Sequence, residues 1–124
     1  MTATAYLSEA RMQIYTAKTL LGKAHIEAVS GLAVFQILQA ATNSVKSLLS
    51  KVSVSFSEEE DLYYLNEKIK IDNPYAIKLA LSVYNYVLKW HKTDVDTKTV
   101  LLLFSDSVNA LDDAYKLLEY VASL

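Results

Sequence analysis

Residues that permit tight turns are scarce in this chain, and their scarcity limits the folds that it can adopt. Two glycines and one proline occur among 124 residues. Sandwiches and barrels need many tight turns, whereas a few long helices need only a few. With 52% hydrophobic residues, the chain can bury a core without disulfides or a structural metal. We therefore predict an all-α fold in a single domain, residues 1–124.

Apolar residues recur every three or four positions in four long segments, which is the spacing of one helical face. The first predicted helix covers residues 4–21, and Gly22 can end it in a left-handed conformation. The second covers residues 25–50. The third begins at Asn73-Pro74, a capping residue followed by proline, and closes in the polar run 91–96. The fourth runs from about Thr97 almost to the C-terminus, and one side of it carries Phe104, Val108, Leu111, Tyr115, Leu118 and Ala122.

The second predicted helix carries two apolar faces. A main stripe includes Ala33, Ile37 and Ala41, and Leu32 and Phe35 lie on another side. Only a central position in a bundle covers two faces at once. We therefore predict an antiparallel four-helix bundle with this helix in its centre and with Leu32 and Phe35 buried.

The connection 51–73 is the least regular part of the sequence. Val52, Val54 and Phe56 alternate with polar residues, a pattern that allows either a short strand or a loop. Ser57 and Glu60 have the spacing of a capping box, in which each side chain bonds the backbone amide of the other residue. We expect a short extra helix at about 58–69.

Charge is distributed unevenly, although the formal net charge is only −2. Residues 68–98 hold six lysines against three aspartates, which leaves the rest of the chain acidic. Such a segment either forms a solvated face or binds a polyanion such as RNA, and the negative net charge favours the first alternative. If an anion binds, Lys89, His91 and Lys92 are the candidate residues.

Nine tyrosines are many for a chain of this length, and several lie in its middle. Tyrosine has an apolar body and a polar tip, so it suits surfaces that become buried on association as well as the boundary of a small core. Stacking on single-stranded nucleic acid is a third alternative. We assign Tyr84, Tyr86 and Trp90 as candidate interface residues.

Motifs for catalysis, metal binding or membrane insertion are missing from the sequence. Cysteine is absent, the two glycines stand alone, and His25 and His91 have no metal-ligand spacing. The N-terminal segment suits neither a secretory signal nor a membrane span. We expect a cytoplasmic protein without cofactor or metal that is not an enzyme.

Two segments of the chain show a recognisable arrangement of leucines and alanines. The first is the predicted helical hairpin from Tyr6 to Leu49, with Leu-Leu-Gly at 20–22, an alanine-rich second helix and Lys46-Ser-Leu-Leu. The second is the predicted terminal helix 105–118. Both segments resemble HEPN domains, which are small helical bundles that occur in prokaryotic toxins and beside nucleotidyltransferases. The resemblance implies a dimer. It implies no ribonuclease activity, because the family motif of Arg, four to six residues and His is missing: thirteen residues separate Arg11 from His25.

These patterns favour a non-catalytic interaction or scaffold module, as a homodimer or with a protein partner such as a nucleotidyltransferase. The alternatives are a degenerate HEPN-type protein that binds or acts on RNA through residues 68–98, and a protein that binds a small ligand between its helices.

Overall fold

Five helices make up the regular structure of the described residues. The computed structural model describes residues 1–23, 31–69, 73–92 and 97–124, with the backbone alone at residues 23, 92 and 97–103. The helices are α1 (Ala3–Lys23), α2 (Gly31–Lys51), α3 (Leu62–Glu67), α4 (Pro74–Lys92) and α5 (Thr97–Ala122). The described residues contain no strand, which confirms the prediction of an all-α fold.

The boundaries of the four long helices follow the sequence patterns, except at the end of α1. Pro74 is the first residue of α4 and Thr97 the first of α5, as predicted. The predicted start of the second helix, 25–30, lies outside the described residues. Gly22 does not end α1, because the helix continues to Lys23 and no described glycine has a positive φ.

The helix α2 contacts each of the other four helices, and it supplies the middle of the core. Ile37, Val45 and Leu48 on its main stripe are almost completely buried. Gly31 at its start lies against α4: a Cβ atom there would stand 3.3 Å from Cη2 of Trp90. The small residue therefore lets the indole ring approach.

The second apolar face of α2 is exposed, contrary to the prediction. Leu32 is 54% exposed and Phe35 is 51% exposed. The buried stripe of α2 is centred on Ala33 and Ile37, and the small side chains of that stripe allow the neighbouring helices to pack there closely. Leu32 and Phe35 point to another side of the helix, which no described element covers.

The C-terminus of α2 is closed by a Schellman motif built on serine. The Ser53 amide donates to the Ser50 carbonyl at 3.3 Å, and the Val54 amide donates to the Leu49 carbonyl at 2.9 Å. Ser53 takes the left-handed conformation, with φ of 58°, that the motif requires and that glycine usually supplies. The chain then turns back without a strand, and Val54 and Phe56 pack against the core.

The predicted capping box closes a turn and does not begin a helix. The Ser57 amide donates to Oε1 of Glu60 at 3.1 Å, and the Ser57 hydroxyl accepts from the Glu59 amide at 3.3 Å. The helix α3 begins later, where Oδ1 of Asp61 accepts the Tyr64 amide at 3.1 Å. The predicted helix 58–69 is therefore shortened to Leu62–Glu67 because Asp61 provides the N-cap.

Replacing Ser53 with glycine is expected to stabilise the protein by about 1 kcal/mol, because a side chain with Cβ is strained at positive φ. Denaturant unfolding measures the change. Ser55→Gly is the control, since Ser55 is equally exposed but has no positive φ. A Ser53 variant no more stable than the wild type would contradict the proposed strain.

Truncating the exposed face of α2 is expected to cost little in an isolated chain. Phe35→Ala should lower the free energy of unfolding by less than about 1 kcal/mol, whereas Ile37→Ala, in the core, should lower it by about 2–5 kcal/mol. Equilibrium melts of the two variants at low protein concentration make the comparison. Equal costs would mean that Phe35 is covered.

Candidate functional site

An open apolar groove of about 530 Å³ runs between α1 and α5. One wall is the C-terminal half of α1, and the other is the N-terminal half of the described α5 side chains. Its lining residues are Ile14, Lys18, Leu21 and Gly22 from α1 and Phe104, Val108, Leu111, Asp112 and Tyr115 from α5. Most of the lining is therefore apolar, and the two ionisable groups come from opposite walls.

The groove exists because α5 carries two apolar stripes. One stripe, formed by Ala110, Ala114, Leu117 and Val121, is buried in the core. The other contains Phe104, Val108, Leu111 and Tyr115, which are spaced by four, three and four residues. Val108 is 45% exposed and Tyr115 is 48% exposed, so the second stripe faces α1 only in part. Alternating steps of three and four residues are typical of a helix face that packs along another helix.

Two opposite charges flank the groove. Lys18 is exposed on α1, and it forms no ion pair within the described part of the chain. Asp112 on α5 pairs with Lys116 one turn later, with 2.9 Å between Oδ2 and Nζ. The Asp112 hydrogen bond raises the pKa of Lys116. Both partners of that pair are more than half exposed, so the pair is weak and open to exchange.

The three aromatic residues assigned from the sequence lie in different surroundings on α4. Tyr86 is only 7% exposed, and its hydroxyl bonds that of Ser107 in the core. Burial raises the pKa of Tyr86. Tyr84 is half-buried, with its ring centroid 5.5 Å from that of Tyr63. Trp90 is half-buried beside Gly31. Tyr86 thus offers little surface to a partner, and Tyr84 and Trp90 offer part of their rings.

The candidate anion-binding residues do not form one cluster in the described structure. Lys89 pairs with Asp106, with 2.7 Å between Nζ and Oδ2. His91 is exposed, and its ring stands edge-on to that of Trp90 with 5.3 Å between centroids. The side chain of Lys92 lies outside the described residues. At the start of the same basic segment, Lys68 is paired with Glu60 at 2.7 Å.

A polar cluster that the sequence did not predict joins α1, α2 and the connection before α3. The buried Tyr6 hydroxyl donates to Oε1 of Glu58. The buried ammonium of Lys46 donates to the Glu58 carbonyl at 3.0 Å and to Oε2 at 3.3 Å. Burial, together with the Glu58 carboxylate, raises the pKa of Tyr6 to about 12. The hydrogen bonds from Tyr6 and Lys46 lower the pKa of Glu58. The cluster therefore holds the connection before α3 against the C-terminal half of α2.

Comparison with known proteins gives no match: no protein-family model, no curated protein and no solved structure matches the chain. Among the described helices, none is both long and apolar enough to cross a membrane. Within the described ranges, no three histidine, aspartate or glutamate side chains are grouped so that they could hold a metal ion.

Glu58→Gln is expected to destabilise the protein at pH 7, and the loss should shrink in acid. In the folded protein the pKa of Glu58 lies below its ordinary value of 4.5, so the ionised carboxylate stabilises the fold fully at pH values above 4.5. The contribution disappears as pH falls through the lowered pKa. Melting temperatures of the variant and the wild type from pH 7 to pH 3 test this. Glu59→Gln, at an exposed neighbouring residue, is the control, and a difference independent of pH would contradict the expectation.

Proposed function

We propose that this chain is a non-catalytic helical interaction module that forms a homodimer. The observation that carries the proposal is the groove between α1 and α5, which leaves Val108 and Tyr115 about half exposed on a chain that already has a well-buried core. Monomeric proteins rarely expose large contiguous apolar surfaces, and those that do so commonly bind a partner there. Self-association is the simplest way to cover such a surface.

The proposal includes an antiparallel bundle of the four long helices, with α3 in the connection. Contacts between α4 and α5 support this arrangement: Ser82 bonds Asp113, and Lys89, further along α4, pairs with Asp106, which comes earlier in α5. The Ser47 hydroxyl, near the end of α2, donates to the Ala3 carbonyl at the start of α1 at 2.8 Å. These contacts support opposite directions for the two helices of each pair.

A relation to HEPN domains stays a prediction, with its implied dimer, its partner of nucleotidyltransferase type and its cytoplasmic location. The alternative role in RNA binding is not favoured by the described contacts. Lys68 and Lys89 of the basic segment are engaged by Glu60 and Asp106. A phosphate backbone would have to displace these carboxylates, which repel it.

Sedimentation at tens of micromolar is expected to give a particle of twice 13.9 kDa. The physical reason is the burial of apolar surface on association, which favours the dimer in water. Dilution should return the monomer, and the midpoint of that titration gives the dissociation constant. A 13.9 kDa monomer over the whole concentration range would refute the proposed function.

A further inference from the structure

We infer that the last helix of a second copy of this chain occupies the α1–α5 groove. A two-fold axis parallel to the groove then places each α5 between α1 and α5 of the other subunit. The inference rests on the proposed function, because it names the surface and the partner through which the module self-associates. Three features of the described residues support it.

The first feature is the spacing of the apolar residues on α5, which indicates what kind of element fits the groove. The second apolar stripe of α5 spans residues 104–115 in steps of four, three and four residues. Side chains at this spacing form the seam between two helices that lie nearly parallel, each inserting into gaps left by the other. A helix with a matching stripe therefore fits the groove better than a strand or a loop does.

The second feature is that α5 forms one wall of the groove and also carries the surface that would insert into the groove of a second copy. Val108 and Tyr115 line the groove, yet each is about half exposed. In a two-fold complex the same residues supply the wall of one groove and the insert of the other, so a single surface serves both subunits. On the α1 wall, a Cβ atom at Gly22 would meet nothing within 4 Å, so the space beside this residue is open.

The third feature is charge complementarity across the groove. Lys18 lies on the α1 wall of the groove, and Asp112 lies on the opposite wall, which α5 forms. With the axis along the groove, α5 of the partner lies against α1, and Lys18 meets Asp112 of the partner subunit. The symmetric pair forms as well. An axis across the groove would instead place α1 against its own copy and bring the two Lys18 ammonium groups together, which is unfavourable.

The exposed Leu32 and Phe35 form the strongest competing surface. They lie on a side of α2 where no described group of opposite charge or complementary shape identifies an occupant. The groove differs because its two walls, its stripe and its flanking charges all point to the same partner.

A charged side chain in the stripe should break the dimer without unfolding the subunit. Val108→Asp is expected to raise the dissociation constant at least about a hundred-fold, because an aspartate in the seam would lose its water. Leu81→Asp is the matched control: Leu81 is 38% exposed on α4, outside the groove, and its replacement should leave the dissociation constant within about three-fold. Circular dichroism melts confirm that both variants fold.

Charge reversal tests the orientation of the axis. Lys18→Glu and Asp112→Lys should each raise the dissociation constant roughly ten-fold, because two like-charge contacts arise in every dimer. The double variant should restore the wild-type value to within about three-fold. Lys78→Glu, with the same change of charge at an exposed site on α4, controls for net charge.

The outcomes separate the inference from the proposed function. A wild-type dimer that Val108→Asp leaves intact would overturn the inference while the proposed function stands. A dimer broken by Val108→Asp but not restored by the double charge reversal would overturn the two-fold arrangement along the groove. A wild-type chain that never dimerises would refute both.

Discussion

Ten consecutive residues of α2, 40–49, are buried, and five of them carry polar side chains. The rest of the described fold depends on how these polar groups find partners, because an unpaired polar group costs about 1–3 kcal/mol when buried. Thr42 and Ser44 bond the carbonyls one turn earlier in their own helix. Asn43 and Ser47 bond α1, and Lys46 bonds the connection before α3. This run does not have the alternation of apolar and polar residues that predicts a buried face, yet all of its residues are buried.

The same arrangement explains why the connection 52–61 holds a fixed place without regular structure. The left-handed Ser53 turns the chain back at the end of α2, and Glu58 then accepts both the buried Tyr6 hydroxyl and the Lys46 ammonium. The ring of Phe56 lies beside that of Tyr6, with 5.8 Å between centroids. Apolar packing and a shared carboxylate therefore replace the strand pairing that the alternation of valines allowed.

Sequence patterns predicted the class of the fold and the starts of α4 and α5, because these depend on local periodicity and on the residues that cap or start a helix. They did not predict which face of a helix the core takes. In α5 the large residues at 104, 108, 111 and 115 formed the obvious apolar side, yet the alanine-containing stripe 110, 114, 117 and 121 is buried. In α2, Ile37 is buried and Phe35 is not. In α5, alanines occupy buried positions because small side chains let neighbouring helices approach closely. That advantage depends on helices distant in sequence, which a local pattern does not reveal.

This competition between faces also produces the candidate site. When a helix has a single apolar stripe, the core covers that stripe. The helix α5 has a second apolar stripe, which stays partly exposed after the stripe with the small residues is packed. The large side chains that remain outside cannot be part of the core without giving up the close approach of α2 to α5. They can be covered only by another surface, and the half of α1 that ends at Lys23 covers them in part. The groove is therefore a consequence of the packing within the subunit. The sequence showed that the α5 residues of the groove form an apolar stripe, but it did not show that this stripe is exposed.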